Sequence, residues 1–251
     1  MTDETYDLSE DLDLNPEFLD VDPLEEKYRE SITPVQAIRQ SLEEHHTALL
    51  VIDLQYLDAA RGYGVFANVD REQMPHEAEE FYFDSLENTV LPNVRRLQDS
   101  FRANKLEVIH IRIQSLTQDG RDRSPGHKRL GLHSAPGSKE AEFIPEVAPQ
   151  GDEIVINKSA SGVFNATNLE YVLRNMGVTG LFICGVYTNE CVSTTIRDAC
   201  DLGFYTTLIA DGCTTVTPEL HTATIRTVKD RYSRVMSADE AIKEINKVVH
   251  E

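Results

Sequence analysis

The chain has 251 residues, 40% hydrophobic and 27% charged, which suits one large α/β domain or two small ones around a closed core. No apolar run reaches the roughly 18 residues a membrane span needs. The sequence opens on Met1-Thr2-Asp3-Glu4 rather than a basic and then apolar leader, so a cytoplasmic location is expected. A formal charge of −19 repels phosphate backbones and anionic lipid, which argues against nucleic acid and membrane surfaces as partners.

Much of that charge is local. Residues 1–30 hold twelve Asp and Glu against Lys27 and Arg29, with few periodic apolar positions. Residues 1–45 therefore read as an acidic arm, mobile or partner-dependent, ending in a short helix over Ile32–His46 with Thr33 as N-cap and Pro34 at the first helical position. Residues 46–251 read as the folded domain. Thr47-Ala-Leu-Leu-Val-Ile-Asp53 is a continuous apolar run ending in a carboxylate, the pattern of a buried parallel strand. Ser85–Asn104 has an amphipathic helical stripe, and Glu107–Ile113 is a second strand. Residues 114–140 are rich in Gly and Pro and form a long loop, a feature that inside compact domains is usually functional.

A third strand is expected at Glu153–Ile156, then a helix opened by a Thr167/Glu170 capping box and closed by Gly177. Leu181–Val186 is a fourth strand, followed by a helix from about Asn189 to Leu202. A fifth strand at Phe204–Ile209, a helix over 219–230, a sixth strand at Arg234–Met236 and a helix capped by Ser237 and Glu240 complete the chain. The alternation predicts an α/β fold: a six-stranded parallel sheet flanked by helices in three Rossmann-like layers, with the active site at the carboxyl ends of the strands. No Gly-x-Gly-x-x-Gly or phosphate-loop motif is present, so a nucleotide cofactor lacks its main support.

Three polar residues fall where such a fold exposes chemistry. Asp53 ends the first strand, Lys158 lies just past the third, and Cys191 lies in the first turn of the helix after the fourth. A thiol at a helix N-terminus beside a lysine is favoured as thiolate, although a cysteine there can equally pack as a small buried hydrophobe. Cys184 and Cys200 read as core, and Cys213, after the fifth strand, is the rival nucleophile. A buried carboxylate needs a cation, and a cysteine hydrolase needs a base, so Asp53 and Lys158 gain meaning together.

Val51-Ile-Asp-Leu-Gln55, Asn157-Lys-Ser-Ala-Ser-Gly-Val-Phe164 and Gly185-Val-Tyr-Thr-Asn-Glu-Cys-Val192 resemble, in order and spacing, the signature segments of the isochorismatase-like cysteine hydrolases. The resemblance covers roughly residues 45–245. It implies an Asp53–Lys158–Cys191 triad, a cis peptide at Val186–Tyr187, and an oxyanion hole made by the Tyr187 and Cys191 N–H groups. It implies no cofactor and an oligomer, a dimer or tetramer. The nicotinamidase branch carries a metal-binding Asp-x-His with a further His. This chain has Asp58-Ala-Ala and no His between His46 and His76, so no metal is expected.

The expected substrate is a small amide or ureido compound, cleaved at its C–N bond through a thioester. The alternatives are a vinyl-ether hydrolase of the isochorismatase type and a catalytically silent binding member. Gln55, Arg121, Arg123, His127, Phe164 and Tyr187 are candidate substrate contacts. Residues 121–139 form a positive island that suits a substrate carboxylate, a subunit contact or a plain solvated loop.

Overall fold

Six apolar runs become strands: β1 (Thr47–Ile52), β2 (Glu107–Ile113), β3 (Ile154–Lys158), β4 (Gly180–Val186), β5 (Tyr205–Thr214) and β6 (Arg234–Met236). The computed structural model describes residues 24, 27–29, 35–67, 69, 72 and 74–250. Most of the acidic arm and the expected Thr33–Pro34 helix start lie outside them. Every residue of β1 and β4 is buried. Strands without a polar face fit only the centre of a sheet covered on both sides, and there they pair, Leu50 opposite Ile183. The order is β3-β2-β1-β4-β5-β6, all parallel. β1 and β4 flank the point where the chain reverses its direction of travel across the sheet, which is where such folds open a crevice.

The helices are α1 (Val35–Glu43), α2 (Tyr56–Ala59), α3 (His76–Ser85), α4 (Leu91–Ala103), α5 (Pro125–Arg129), α6 (Leu169–Asn175), α7 (Ser193–Asp201), α8 (Pro218–Val228) and α9 (Ala238–His250). α9 packs on α1 and α4, and α7 packs on α8, so two groups of helices flank the sheet. Among the described residues no helix is long and apolar enough to cross a membrane.

Several boundaries differ from the sequence reading. The expected Ser85–Asn104 helix begins at His76, and α3 joins α4 through a π turn at Leu86–Val90. The Leu91 N–H reaches back five residues to Leu86, next to Pro92, which has no N–H to give. Glu170 forms no capping box: Thr167 Oγ accepts the Leu169 N–H at 3.0 Å, while Glu170 lies 3.6 Å from Arg174. The Ser237/Glu240 box does form. β3 runs on to Lys158, which pairs with Ile113 of β2, so Lys158 is the last strand residue rather than a loop residue. β5 is also longer than expected. Its register jumps from Leu208 opposite Ile183 to Cys213 opposite Gly185, so Cys213 sits inside the strand.

Candidate active site

The site is built at the carboxyl ends of β1, β3 and β4. Directly after β1 the backbone of Asp53 turns into the left-handed region, φ 54°, a conformation aspartate tolerates better than most residues. Its N–H still pairs with Ile111 of β2 (2.9 Å), while its carbonyl accepts the Gln55 N–H at 2.8 Å. This turn ends the strand and leaves the carboxyl group buried, 1% exposed. Lys158 starts two strands away, a separation of roughly 10 Å. Its long stem spans β2 and sets Nζ 2.8 Å from Asp53 Oδ2. The same ammonium donates to Cys191 Sγ at 3.2 Å and to the Ala160 carbonyl at 3.1 Å.

Cys191 arrives from the other side. The segment after β4 begins as a π turn, Thr188–Val192, and only then becomes α7. Gly185 makes the approach possible. A Cβ there, at φ 120°, would lie 2.0 Å from the Ile52 carbonyl oxygen, so any side chain would push β4 off β1. The Val186–Tyr187 peptide is cis, as the resemblance implied. Cys191 is 3% exposed and contacts the Asp53 carboxyl as well as Lys158.

Electrostatics set the resting state. Burial pushes the Cys191 thiol well up, and although Lys158 pulls it back, Asp53 opposes that pull. Burial likewise raises Asp53, with Lys158 acting against it, while Asp53 and Cys191 raise Lys158 despite its burial. The helix-start preference for a thiolate is thus opposed by burial and by Asp53, and Lys158 works in its favour. The Asp53 carboxyl is buried with Lys158 and Cys191 as its polar neighbours, so solvent does little to stabilise its charge.

A cavity of about 200 Å³ opens above the thiol, lined among others by Asp58, Ile113, His127, Tyr187, Glu190 and Cys191. Of the expected substrate contacts it gathers His127 and Tyr187. Burial lowers His127 to about 4, which keeps its ring neutral. Tyr187 stacks on Tyr82 with centroids 5.1 Å apart. The other candidates are occupied elsewhere. Gln55 is fully buried and acts as a strut: Nε2 donates to the Ile113 and Glu140 carbonyls (2.9 and 2.8 Å), and Oε1 accepts the Ile113 N–H at 2.6 Å. Arg121 pairs with Asp119 at 3.0 Å in solvent. Arg123 donates to the Gly120 and Leu132 carbonyls. Phe164 stacks on Phe204 with centroids 5.8 Å apart.

Two cavity carboxyls were not among the expected substrate contacts: Glu190, which sits directly before the nucleophile inside the third signature segment, and Asp58, read from the sequence only as lacking the nicotinamidase histidine. Position held the only clue: Glu190 lies within one signature segment and Asp58 three residues past the end of another. Cys213, the rival nucleophile, is buried in β5 with its thiol pushed up to about 12 by burial. Among the described residues no three of His, Cys, Asp and Glu are grouped as a metal ion would require. Asp58 is followed by two alanines where the nicotinamidase pattern needs histidine, so the donor set does not fit that metal.

The comparisons agree with this architecture. The isochorismatase domain family model matches residues 47–240. A ureidoacrylate amidohydrolase, RutB, of Acinetobacter baylyi is 28% identical over 214 residues, covering 75% of this chain and 79% of the relative. Nicotinamidase 3 of Arabidopsis thaliana is 29% identical over 163 residues, 63% of this chain and 81% of the relative. The crystal structure of a cysteine hydrolase from Pseudomonas syringae pv. phaseolicola superposes with a TM-score of 0.67 at 21% identity, over 81% of this chain and 94% of that one, a likeness of fold. With the family model spanning more than half of its length and the strand order, cis peptide and signature segments in agreement, the chain belongs to the isochorismatase family of hydrolases.

Proposed function

We propose that the protein is a cysteine-dependent amidohydrolase that cleaves a C–N bond of a small amide or ureido compound. The observation that carries this reading is the buried contact of three groups: a thiol, a carboxylate and a lysine 3.2 Å from the sulfur and 2.8 Å from the carboxylate. Such a set can attack a carbonyl and then return the proton that an amide leaving group needs. The amidohydrolase name carried by the 28%-identical relative supports the same bond class. Vinyl-ether cleavage needs no thiol, and nothing in the site favours it.

In the proposed mechanism Cys191 Sγ attacks the carbonyl carbon while Asp53 accepts the thiol proton. Lys158 stays protonated, compensates the carboxylate and stabilises sulfur as charge develops on it. The Tyr187 and Cys191 N–H groups receive the oxyanion. Asp53 then gives its proton to the leaving nitrogen, and the C–N bond breaks. An acyl thioester, or a carbamoyl thioester from a ureide, remains on Cys191. Asp53 next takes a proton from water as the hydroxide oxygen attacks the thioester, and the expelled sulfur takes that proton back. Each group ends as it began, and no step passes through a metal.

Turnover of a panel of small amides, ureides and vinyl ethers, followed by ammonia or amine release for the first two and by the carbonyl product for the last, tests the reading. Turnover of amides or ureides that disappears in Cys191→Ala supports it. Turnover confined to vinyl ethers, or persisting in Cys191→Ala, contradicts it.

A further inference from the structure

The reaction centre uses one buried cation and one buried carboxylate, which compensate each other. The cavity above it holds two further carboxyl groups that the mechanism does not use, Asp58 and Glu190. Among the described residues that line this cavity there is no lysine or arginine, and Arg121, Arg123, Lys128 and Lys139 of the neighbouring loop are tied to nearby carbonyls and carboxylates. Asp58 is the unusual member. It is 2% exposed, and its Oδ2 is buried without a hydrogen-bond partner. Its backbone carbonyl is well held by the Tyr82 hydroxyl at 2.6 Å, so the residue is fixed in place while its carboxyl oxygen is left unmatched. A buried carboxyl oxygen without a donor is costly and is rarely retained without a purpose.

We propose that Asp58, with Glu190, is the substrate-selecting element of this pocket, and that it receives a cationic, N–H-bearing tail, an ammonium or amidinium, on the amide or ureide whose carbonyl Cys191 attacks. The inference rests on the amidohydrolase reading for the identity of the reacting end. Three carboxyl groups stand about the cavity and one lysine answers them. A second cation brought in by the substrate supplies the missing countercharge and the missing donor together. Burial and the nearby Asp53 both push Asp58 well up, which marks the same electrostatic deficit. His127, the remaining candidate for a positive wall, stays neutral. A carboxylate-tailed substrate would find no lysine or arginine among the described residues lining the cavity and would set a further acid group beside Asp58 and Glu190, so the positive island of the 114–140 loop is not the specificity device its composition suggests. Asp58 is accordingly a binding residue that sets which substrate is held.

The test uses three alkylureas matched in length and ending in ammonium, methyl or carboxylate. Their affinities for the full-length Cys191→Ala protein are measured by calorimetry, and their kcat/KM values with the intact enzyme. Ammonium should bind about tenfold or more tightly than methyl, the size of a charge-assisted hydrogen bond, and carboxylate the least. In Asp58→Asn the ammonium-to-methyl ratio of kcat/KM should fall about tenfold, carried mainly by KM, and Asp58→Glu should keep the ammonium preference. Preference for carboxylate, no binding of any of the three, or a ratio unaltered by Asp58→Asn overturns the proposal. If Asp58→Asn does not fold, the order of affinities in Cys191→Ala decides alone. If the three ureas bind in the expected order but none is hydrolysed, the amidohydrolase reading fails and the cation site stands. If they are hydrolysed with the carboxylate preferred, the cation site fails and the amidohydrolase reading stands.

Discussion

The strand-end triad and the loop between β2 and β3 both carry dense charge, and they use it in opposite ways. Asp53, Lys158 and Cys191 come from three strand ends far apart in the chain and converge in a site almost closed to water. The charges of the loop find partners close by in sequence. Asp122 accepts the Leu116 and Thr117 N–H groups, and with its carboxyl held at about 2 it fixes one turn. Arg121 pairs with Asp119, Lys128 with the Arg121 carbonyl and Lys139 with Glu142. Convergence of groups distant in sequence leaves valences that only chemistry can use, whereas pairing of neighbours consumes them in holding the loop together. A count of charged residues does not distinguish the two cases.

Disabling the triad should have the largest effect. Cys191→Ala and Asp53→Asn should each lower kcat/KM by about 10⁴-fold or more, and the double variant should be little worse than either, because the two act as a unit. Asp53→Asn also strips Lys158 of its buried countercharge, a destabilisation of about 3–5 kcal/mol, so its kinetics need a temperature at which circular dichroism shows it folded. Simple addition of the two losses would separate the residues that the mechanism joins.

The pH profile sharpens the same contrast. Asp53 must be ionised to accept the thiol proton, and burial raises it above the ordinary carboxylate value of 3.8. Activity should therefore be present above that raised value and fall as pH drops through it, giving an acid limb displaced upward from 3.8 that belongs to the Asp53–Lys158–Cys191 unit as a whole. Cys191 and Lys158 are both raised, so no alkaline loss should be seen near neutrality. A limb at or below the ordinary carboxylate range would mean that Asp53 is not the base.

Gln55 sits between the two regions, tying the end of β2 to the 114–140 loop. Gln55→Leu removes the hydrogen bonds to the Ile113 and Glu140 carbonyls and the long one to Ser134, and leaves the Ile113 N–H without its acceptor, so a loss of about 2–4 kcal/mol in chemical denaturation is expected. Because Ile113 pairs with Lys158, some loss of kcat should accompany it. Unchanged stability would show that the strut is dispensable. The smallest effect belongs to the loop surface: Arg121→Ala should leave kcat/KM within about twofold, as for an exposed ion pair. A large rise in KM would return that residue to the substrate site.

The strand-end part of this picture was legible in the sequence because topology alone enforces it. Continuous apolar runs such as Thr47–Ile52 and Gly180–Val186 can be buried only as central parallel strands, and that fixes where Asp53 and Cys191 emerge. Lys158 was placed one step too far along, since the ladder with β2 carries Asn157 and Lys158 into the strand despite their polarity. The cavity wall was much less legible. Gln55 and Arg123 carry polar groups of the kind a substrate site uses, and what they bond to depends on tertiary contacts with Ile113, Glu140 and Leu132. Asp58 was read only as lacking the nicotinamidase histidine, because its role in the pocket lies in a missing partner, which no sequence spacing encodes.

The central claim is that Cys191 carries the acyl or carbamoyl group between two half-reactions. Intact-mass spectrometry of the enzyme quenched during turnover of a slow amide or ureide tests it directly, with peptide mapping to locate the added mass. The adduct should equal the acyl or carbamoyl fragment, lie on Cys191 and be absent from Cys191→Ala. Steady turnover with no adduct at any quench time, or an adduct on Cys213, would contradict the account.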